Sequence, residues 1–523
     1  MDWSAHRARC APPDRAVGWW EAICYRPKSG RSRVGVLSIV AEHNIDEIKL
    51  RRICSKCVGE PYLKREIDRI GEKALCYYCN NSWNTESIND LASRIETTFE
   101  QHFQITSDQP DSLEWSMMRE GGYDWDRAGE PALDAIAQAA VLEQEPAEDI
   151  RLVLEDRHDD FERAAMGEEG PFDKSTHYEE AKVNDAEFRA DWAAFERSLK
   201  SETRFFSRSA EAILATIFDG VFDAQTRSGN PIVVEAGLGS SLAALYRARV
   251  FQSQESFESA LARPDREIGP PPSSFASAGR MNARGVSVFY GATEEAIALA
   301  EVRPPVGSRV VVGRFDFLRR VRLLDIAAMR SVFVSGSIFE PGYARRLERA
   351  KFLETLSWRV TMPVMPNDEP FEYLVTQAMA DYLADRDEHG LDGLIYPSVQ
   401  GGGKGANVVL FNKASRVETL ETPAGMNVSV FQHSGDPDEE GNSNYTVWEE
   451  VPQAAEERQG KVLWKPAFPS ISHSFPADSD HRETTLRIDL SSLRVHCIRA
   501  VSITSDTLGV ERHRRQAQAT PDF

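Results

Sequence analysis

A chain of 523 residues is too long for one ordinary hydrophobic core, and its length predicts roughly two to four domains. Hydrophobic residues make up 41% of the chain and charged residues 27%, a globular balance that argues against a disordered or fibrous protein. The formal net charge of −21 argues against non-specific binding to nucleic acid or to anionic membranes, because both require a basic surface.

Segments for export or membrane insertion are not expected. No apolar run approaches the ~20 residues that cross a bilayer, and the N-terminus lacks the continuous apolar stretch of a secretory signal. The chain has seven cysteines, an odd number, and four of them form CxxC pairs. This usage favours metal binding in a reducing compartment over a disulfide framework. We therefore expect a cytoplasmic protein without a membrane partner.

Changes in composition divide the chain into four predicted regions. Residues 1–110 hold the paired cysteines and several apparent helices, the clearest of which covers residues 88–103. Residues 111–235 are acidic and helix-rich, whereas residues 236–415 alternate short apolar strands with helices. Residues 416–523 form a C-terminal extension with strand-like segments. The order predicts an α+β protein in which a mostly helical N-terminal region precedes a domain built on a sheet.

Two cysteine knuckles lie in the first region. Cys54 and Cys57 form CSKC, and Cys76 and Cys79 form CYYC after a spacer of eighteen residues. This matches the C-x2-C-x15–20-C-x2-C zinc pattern, in which each tight turn presents two thiolates to one tetrahedral ion. Because four thiolates close the coordination shell, we predict a structural zinc. Reduced buried cysteines without metal, or a redox pair, are the alternatives.

In the third region the segment AALYRARV at 243–250 predicts a strand with two arginines on one face. Alternation places Arg247 and Arg249 together and their neighbours on the opposite face. Two guanidiniums on one face suit a phosphate or a carboxylate ligand. An exposed sheet face is the alternative interpretation.

The segment VSVFYGA at 286–292 predicts a second strand, which ends just after Tyr290, and a helix follows it. Thr293 is a suitable N-cap for that helix. Glu301 lies one turn beyond Ile297, on a helix face that is otherwise apolar. An unpaired charge directed into an enclosed region is costly. We therefore expect Glu301 to belong to a catalytic site, or otherwise to an internal salt bridge.

The glycine-rich run at 401–405 follows a further predicted strand but does not form a P-loop. Ser398 stands where the first glycine of that motif is needed, and Gly405 replaces the hydroxyl residue after Lys404. A flexible turn is therefore predicted. The sequence also contains no GxSxG, no HExxH and no dinucleotide GxGxxG after a strand.

These segments together resemble the RES domain family, named for its Arg, Glu and Ser residues. The resemblance rests, in order, on LYRAR, AGRMNARGVSVFYGA with ALAEVRPPVGSRVVVGRF, DEPFEYLVTQ, and LDGLIYPSVQGGGKGANVVLF, and it covers about Leu238 to Lys413. It implies a fold like that of ADP-ribosyltransferases, in which a split mixed sheet clamps NAD in a cleft. Members of the family act as toxins that destroy NAD by phosphorolysis or hydrolysis, and some are reported to ADP-ribosylate proteins.

The resemblance also implies site residues. It assigns a catalytic set and a set that binds NAD, the latter taken from the GR-N motif and completed by the second arginine of the first strand. The catalytic residues are Arg247, Tyr290, Glu301 and Ser398, and the NAD-binding residues are Arg280, Asn282 and Arg249. Glu301 would stabilise the ribosyl cation that forms as nicotinamide leaves. Ser398 would contact the ribose or fix the position of Glu301.

The front half of the chain is similar to the cysteine-containing N-terminal domain that is fused to RES domains and sometimes grouped with HEPN proteins. HEPN ribonucleases use Arg-x4–6-His with a polar residue after the arginine. Only Arg151 and His158 have this spacing, and Leu152 follows the arginine. We therefore expect neither a ribonuclease nor a nucleic-acid partner.

The leading interpretation is thus a toxin or defence effector that degrades NAD, with phosphate or water as the acceptor. NAD is then a substrate, zinc is the structural metal, and an antitoxin or inhibitor protein is an expected partner. A protein ADP-ribosyltransferase that uses the same pocket is one alternative. An inactive zinc-ribbon and helical binding module is the other.

Overall fold

The computed structural model describes residues 44–121, 124–202, 206–365, 367–385, 390–400, 405–423, 425–433, 444–452, 480–502 and 505–514. Residues 1–43 of the first predicted region and residues 401–404 of the predicted glycine-rich turn lie outside these ranges. None of the described helices combines the length and the apolar character of a membrane span.

The N-terminal part contains seven helices and six short strands within its described residues. The helices are α1 (Ile45–Leu50), α2 (Pro61–Ile70), α3 (Ile88–His102), α4 (Ser112–Glu120), α5 (Ala132–Ala140), α6 (Gln144–Arg157) and α7 (Phe161–Met166). The strands are β1 (Arg52–Cys54), β2 (Glu72–Leu75), β3 (Ser82–Ser87), β4 (Phe103–Ile105), β5 (Glu130–Pro131) and β6 (His177–Glu180). They form two antiparallel sheets in the orders β1-β3-β2 and β4-β6-β5.

One hydrophobic core holds this part together. Helix α3 begins where the Ser87 hydroxyl accepts a hydrogen bond from the Asp90 amide, as an N-cap residue should. Its apolar stripe, which includes Leu91 and Ile95, is fully buried against the apolar face of α6, which includes Ile150. The helix predicted at 88–103 is confirmed to within one residue.

The remaining elements build the larger body. Its helices are α8 (Ala186–Ser201), α9 (Arg208–Ile217), α10 (Gln254–Ala262), α11 (Pro264–Glu267), α12 (Glu295–Glu301), α13 (Tyr343–Thr361) and α14 (Glu369–Asp385). Its strands are β7 (Gln225–Thr226), β8 (Val233–Ala236), β9 (Ala244–Phe251), β10 (Phe289–Ala292), β11 (Arg309–Phe317), β12 (Val321–Asp325), β13 (Val332–Phe333), β14 (Gly393–Pro397), β15 (Ala406–Leu410), β16 (Asn427–His433), β17 (Asn444–Glu450) and β18 (Leu486–Cys497).

Eight of these strands form one mixed sheet in the order β18-β11-β9-β10-β15-β14-β12-β8. Only β12 and β14 run parallel, and the other neighbours are antiparallel. The predicted α+β class, with a mixed sheet behind a helix-rich region, is therefore confirmed.

The sheet is nearly divided between β9 and β10. These two strands share one registered pair, Ala292 with Tyr246, whereas β9 pairs with β11 along its whole length. Gly291 lies at the narrow point, where an added Cβ would come within 3.2 Å of the Tyr246 carbonyl oxygen. The strands diverge beyond this contact and leave room for a cavity.

The helices of the predicted acidic region at 111–235 pack into two different cores. Helices α5 and α6 share the N-terminal core, whereas α8 and α9 are buried with α13 and α14 in the core of the larger body. The helical segment predicted at 111–235 is therefore divided between two cores, because its amphipathic helices face different partners. Strand β18, from the predicted extension at 416–523, pairs with β11 and is an edge strand of the main sheet.

Candidate functional site

A cavity of about 510 Å³ opens where β9 and β10 diverge. Helix α12, the segment between α13 and α14, and the ends of β14 and β15 complete its walls. Its size lies in the range of small-molecule sites. The polar and aromatic side chains that line it are Arg247, Arg280, Arg303, Glu301, Glu369, Gln400, Asn407, Thr361, Tyr246, Tyr290, Tyr373 and Tyr396.

Arg247 lies at the divergence of the two strands. Its Nη1 donates a hydrogen bond of 2.8 Å to the carbonyl oxygen of Tyr290, and its guanidinium lies 5.0 Å from the ring centre of Phe289. No described carboxylate lies within 4.0 Å of the guanidinium. Burial, and secondly repulsion from Arg249, lower the pKa of Arg247 to about 10. A guanidinium held without a counter-ion is suited to bind an anionic group.

Glu301 is the last residue of α12 and is held by neutral donors. Ser398 Oγ donates a hydrogen bond of 2.7 Å to Glu301 Oε1, and Asn407 Nδ2 donates one of 2.8 Å to the same oxygen. Within the described ranges no cation lies within 4.0 Å of this carboxylate, so the salt bridge considered for Glu301 does not form there. Glu301 is also exposed to the open cavity, which corrects the expected enclosed position.

Ser398 and Asn407 both support Glu301, and only Asn407 also lines the cavity. Ser398 is 1% exposed and does not line the cavity, so it contacts Glu301 and not the cavity space. Asn407 is 6% exposed and was not predicted as a site residue. The sequence offered one sign of its function, a polar amide in the otherwise apolar segment ANVVLF. Its partner Glu301 lies 106 residues away in sequence, so the contact could not be predicted from that segment.

The hydroxyl of Tyr290 is engaged in the loop before its strand. It donates to Asn282 Oδ1 at 2.9 Å and accepts from the Met281 amide at 3.1 Å. Burial raises the pKa of Tyr290 to about 12, so the hydroxyl remains protonated near neutral pH. The ring faces the cavity, while the hydroxyl fixes the loop.

Two of the predicted NAD-binding residues lie outside the cavity lining. Asn282 is 3% exposed and donates through its amide to the carbonyl oxygens of Ser277, Ala283 and Val286. The side-chain amide of Asn282 therefore stabilises the loop that contains it. Arg249 donates instead to the Glu267 carbonyl oxygen at 2.6 Å, and its side chain is half exposed.

Arg280 does line the cavity but is also engaged by protein groups. It donates to the carbonyl oxygens of Val360 and Met362 at 2.7 and 2.8 Å, where α13 ends. Its guanidinium lies 5.4 Å from the ring centre of Tyr373. Arg280 therefore holds the end of α13 against α14, and it satisfies carbonyls that a helix terminus leaves unpaired.

The cavity is rich in positive charge. Arg247, Arg280 and Arg303 line it, and none of them forms a carboxylate ion pair within the described part of the chain. Of the two lining carboxylates, Glu301 bonds to neutral donors and Glu369 accepts from the Tyr373 hydroxyl at 3.1 Å. This balance favours an anionic ligand with a polar group near Glu301.

The Arg151 and His158 pair does not form an open site. Arg151 is 3% exposed and bonds to Glu148, to Glu155 and to the carbonyl oxygen of Phe172. His158 pairs with Glu96 at 2.7 Å. Arg151 and His158 are thus both held by contacts within the N-terminal part.

The four predicted metal ligands converge at the end of β1 and at the turn between β2 and β3. The sulfur atoms of Cys54, Cys57, Cys76 and Cys79 lie within 4.8 Å of one another. Three of the separations are 3.7, 3.6 and 3.8 Å. A tetrahedral zinc with Zn–S bonds of about 2.3 Å requires sulfur separations of ~3.8 Å. The donor set therefore fits zinc, and four thiolates would leave it a structural ion.

Arg51 and Asp149 join this knuckle to the N-terminal core. Arg51 Nη1 bonds to both carboxylate oxygens of Asp149 at 2.9 and 2.7 Å, and the Tyr78 hydroxyl donates to the same carboxylate at 2.6 Å. Tyr78 belongs to the second cysteine pair and Asp149 to α6. The contact fixes the knuckle against a helix of the core.

Two parts of the chain match known families. Residues 244–429 match the RES domain, and residues 69–212 match the HEPN/RES N-terminal domain 1. The first range contains the four residues predicted as catalytic, and the second covers most of the N-terminal core. No curated protein and no solved structure matches the chain. The family resemblance predicted from the sequence motifs is thus confirmed.

Proposed function

We propose that this chain, which carries a RES domain behind a HEPN/RES N-terminal domain, cleaves the bond between nicotinamide and ribose in NAD. The observation that carries the proposal is the position of Glu301. Its carboxylate lies in a cavity with three guanidiniums, and two neutral donors hold it in place. The nicotinamide ribose of NAD becomes cationic as the bond breaks and would interact with Glu301. The diphosphate of NAD is an anion and would interact with the guanidiniums.

The chemistry requires one main contribution from the protein. Nicotinamide leaves with the electron pair of the glycosidic bond and departs neutral, so no general acid is needed. Positive charge then develops on the ribose, and Glu301 stabilises that charge through its field and by accepting from the ribose hydroxyls. Phosphate or water attacks the anomeric carbon from the opposite side and completes the reaction.

The other lining groups bind and orient the substrate. Arg247 binds a phosphate oxygen of the diphosphate, since its guanidinium has free donors and no described carboxylate partner. The rings of Tyr290 and Tyr373 offer flat apolar faces to the nicotinamide. Arg280 keeps the end of α13 in the cavity wall. The biological consequence is loss of cellular NAD, as expected of a toxin or defence effector.

The test is release of nicotinamide from NAD by the purified full chain. Glu301→Gln should lower the rate at least about 100-fold, the usual loss for a group that stabilises developing charge. Glu255→Gln, an exposed residue in the first turn of α10, is the matched control and should retain the rate. No release by the wild type would reject the proposal and favour an inactive binding module.

Labelled NAD separates the proposed reaction from protein ADP-ribosylation. The expected products are free nicotinamide with ADP-ribose or its 1″-phosphate, each identified by mass. A labelled protein that accounts for the released nicotinamide would contradict NAD degradation and would identify a protein acceptor.

A further inference from the structure

Two parallel contacts join the end of α12 to the segment after β14. The first joins Glu301 to Ser398, and the second joins Arg303 to Gln400, two residues further along each segment. We assign the Gln400 amide the orientation that satisfies both groups, in which its oxygen accepts from Arg303 Nη2 at 2.8 Å and from Nε at 3.3 Å. Gln400 thus holds the guanidinium of Arg303, and Arg303 and Glu301 line the same cavity.

The backbone of Arg303 is unusual for an arginine. Its φ is +44°, in the left-handed region that residues with a side chain rarely adopt. Pro304 follows it, and a proline restricts the residue before it further. The surrounding structure holds this conformation, with the Arg303 amide donating to the Ala300 carbonyl oxygen at 3.1 Å. Strained backbone of this kind concentrates at functional sites.

Arg303 also has spare capacity to bind an anion. No carboxylate within the described ranges lies within 4.0 Å of it, and its one side-chain partner there, Gln400, is neutral. Its side chain is exposed to the cavity. A guanidinium has five donors in a planar fork, so several remain for a phosphate-sized oxyanion.

We propose that Arg303 and Gln400 form a subsite for the phosphate ion that accepts the ribosyl group. This inference rests on the proposed function and deepens it, because it selects phosphate over water as the acceptor. A phosphate oxygen attacks the anomeric carbon, the bond to the nicotinamide nitrogen breaks, and its electron pair leaves with neutral nicotinamide. The product is ADP-ribose 1″-phosphate, and no oxidant or reductant takes part.

The charge of Glu301 explains why such a subsite is needed. A carboxylate that stabilises a ribosyl cation also repels an incoming phosphate dianion. Water carries no charge and needs no compensation. Arg303 offsets the repulsion, because its guanidinium is a positive charge in the same cavity. Gln400 prevents the side chain from turning away to solvent.

The experiment compares wild type with Arg303→Gln and Arg303→Lys, all as full chains. NAD turnover is followed over a series of phosphate concentrations, and the ratio of ADP-ribose 1″-phosphate to ADP-ribose is measured by mass. Arg303→Gln should raise the KM for phosphate about tenfold, the loss expected for one charged donor, and should shift the product towards ADP-ribose. Arg303→Lys keeps the charge and should restore part of the effect.

Two results would overturn the assignment. One is an unchanged product ratio and phosphate dependence in Arg303→Gln. The other is a rise in the KM for NAD alone, which would place the guanidinium on the diphosphate of the substrate. Arg320→Gln is the matched control, because Arg320 pairs with Glu235 on the far edge strand. It should leave both KM values unchanged.

Binding of inorganic phosphate, measured by calorimetry, separates this inference from the proposed function. Glu301→Gln removes the repulsive charge and should bind phosphate at least as well as wild type, whereas Arg303→Gln should bind it about tenfold more weakly. If wild type binds phosphate through Arg303 but releases no nicotinamide, the proposed reaction fails and the subsite stands. If phosphate binding does not depend on Arg303, the subsite fails whatever the turnover.

Discussion

Ser398 donates a hydrogen bond of 2.7 Å to Glu301 across 97 residues of sequence. Asn407 donates to the same carboxylate oxygen from the neighbouring strand β15. The Oε1 atom thus has a fixed position, and the remaining lone pairs of the carboxylate are open to the cavity. Supporting donors of this kind hold a charged group in a defined position.

Ser398→Ala should lower the kcat of NAD cleavage about tenfold and change the KM for NAD little. The substitution removes one of two donors, so the carboxylate remains but its orientation is less defined. Ser398→Thr keeps a hydroxyl and should recover part of the rate. Combining Ser398→Ala with Asn407→Ala should cost less than the sum of both single effects, because both donors act on one atom. Ser259→Ala, on an exposed position of α10, is the control, and equal rates for all variants would contradict the positioning role.

Arg247→Met should abolish NAD cleavage and stabilise the fold by about 1 to 2 kcal/mol. The lowered pKa of Arg247 means that its charge is unfavourable in the folded protein. Below about pH 10 the guanidinium is charged in both the folded and the unfolded chain, so burial of the charge destabilises the fold by its full amount. As the pH rises from about 10 towards 12.5, the folded chain loses this charge first and the destabilisation decreases. Loss of the bond to the Tyr290 carbonyl oxygen offsets part of the gain.

Urea unfolding at neutral pH measures the stability of this variant. Arg249→Met is the control, because Arg249 is half exposed and bonds to Glu267 outside the cavity. It should change neither the stability by more than about 0.5 kcal/mol nor the activity substantially. A destabilised Arg247→Met would show that the guanidinium supports the fold and not the ligand.

Tyr290→Phe should destabilise the protein by about 1 to 2 kcal/mol while leaving the aromatic wall of the cavity in place. The hydroxyl donates to Asn282 and accepts from the Met281 amide, and both of these buried partners would lose a hydrogen bond. Since Arg280 precedes Met281, the loosened loop should also raise the KM for NAD. Thermal unfolding and steady-state kinetics check the two effects. Tyr445→Phe, whose side chain lies in the β16–β17 hairpin, is the control.

Local patterns predicted the elements that depend on local physics. The apolar spacing of α3 and its Ser87 cap placed that helix to within one residue, and strand alternation placed Arg247 in β9. The cysteine spacing predicted a cluster that the structure brings together. Each of these features requires only neighbouring residues or a short loop between the partners.

Features that depend on long-range packing could not be predicted from local sequence patterns. Alternation gives the face on which Asn407 lies but not that Glu301 accepts from it. Amphipathic spacing indicates that α8 has an apolar face but not that α13 and α14 cover it. The exposure of Glu301 could not be predicted locally either, because the cavity exists only where β9 and β10 diverge. In each case the partner lies far away in sequence and no local rule selects it.

A chain that begins at residue 182 should fold, whereas one that begins at residue 236 should aggregate. Helix α8 buries Phe188, Trp192, Phe195 and Leu199 in the core of the larger body, where Phe352 of α13 is also fully buried. Four large apolar side chains contribute roughly 8 kcal/mol in total, comparable to the whole stability of a domain. Solubility and thermal unfolding check the prediction. A stable, soluble chain from residue 236 would show that the larger body does not need these helices.

Removal of one cysteine from the cluster should release zinc and destabilise the N-terminal core. We expect one zinc per wild-type chain by elemental analysis, because the sulfur separations of 3.6 to 3.8 Å fit a tetrahedral ion. Cys76→Ser should bind less than about a tenth of that amount and unfold at lower temperature, since Cys76 is fully buried and the knuckle is tied to α6 through Asp149. Cys497→Ser is the matched control, because Cys497 is exposed at the end of β18 and lies outside the cluster. A wild-type chain without metal, or a Cys76→Ser chain of unchanged stability, would show that the cysteines pack as reduced thiols and that the core does not depend on an ion.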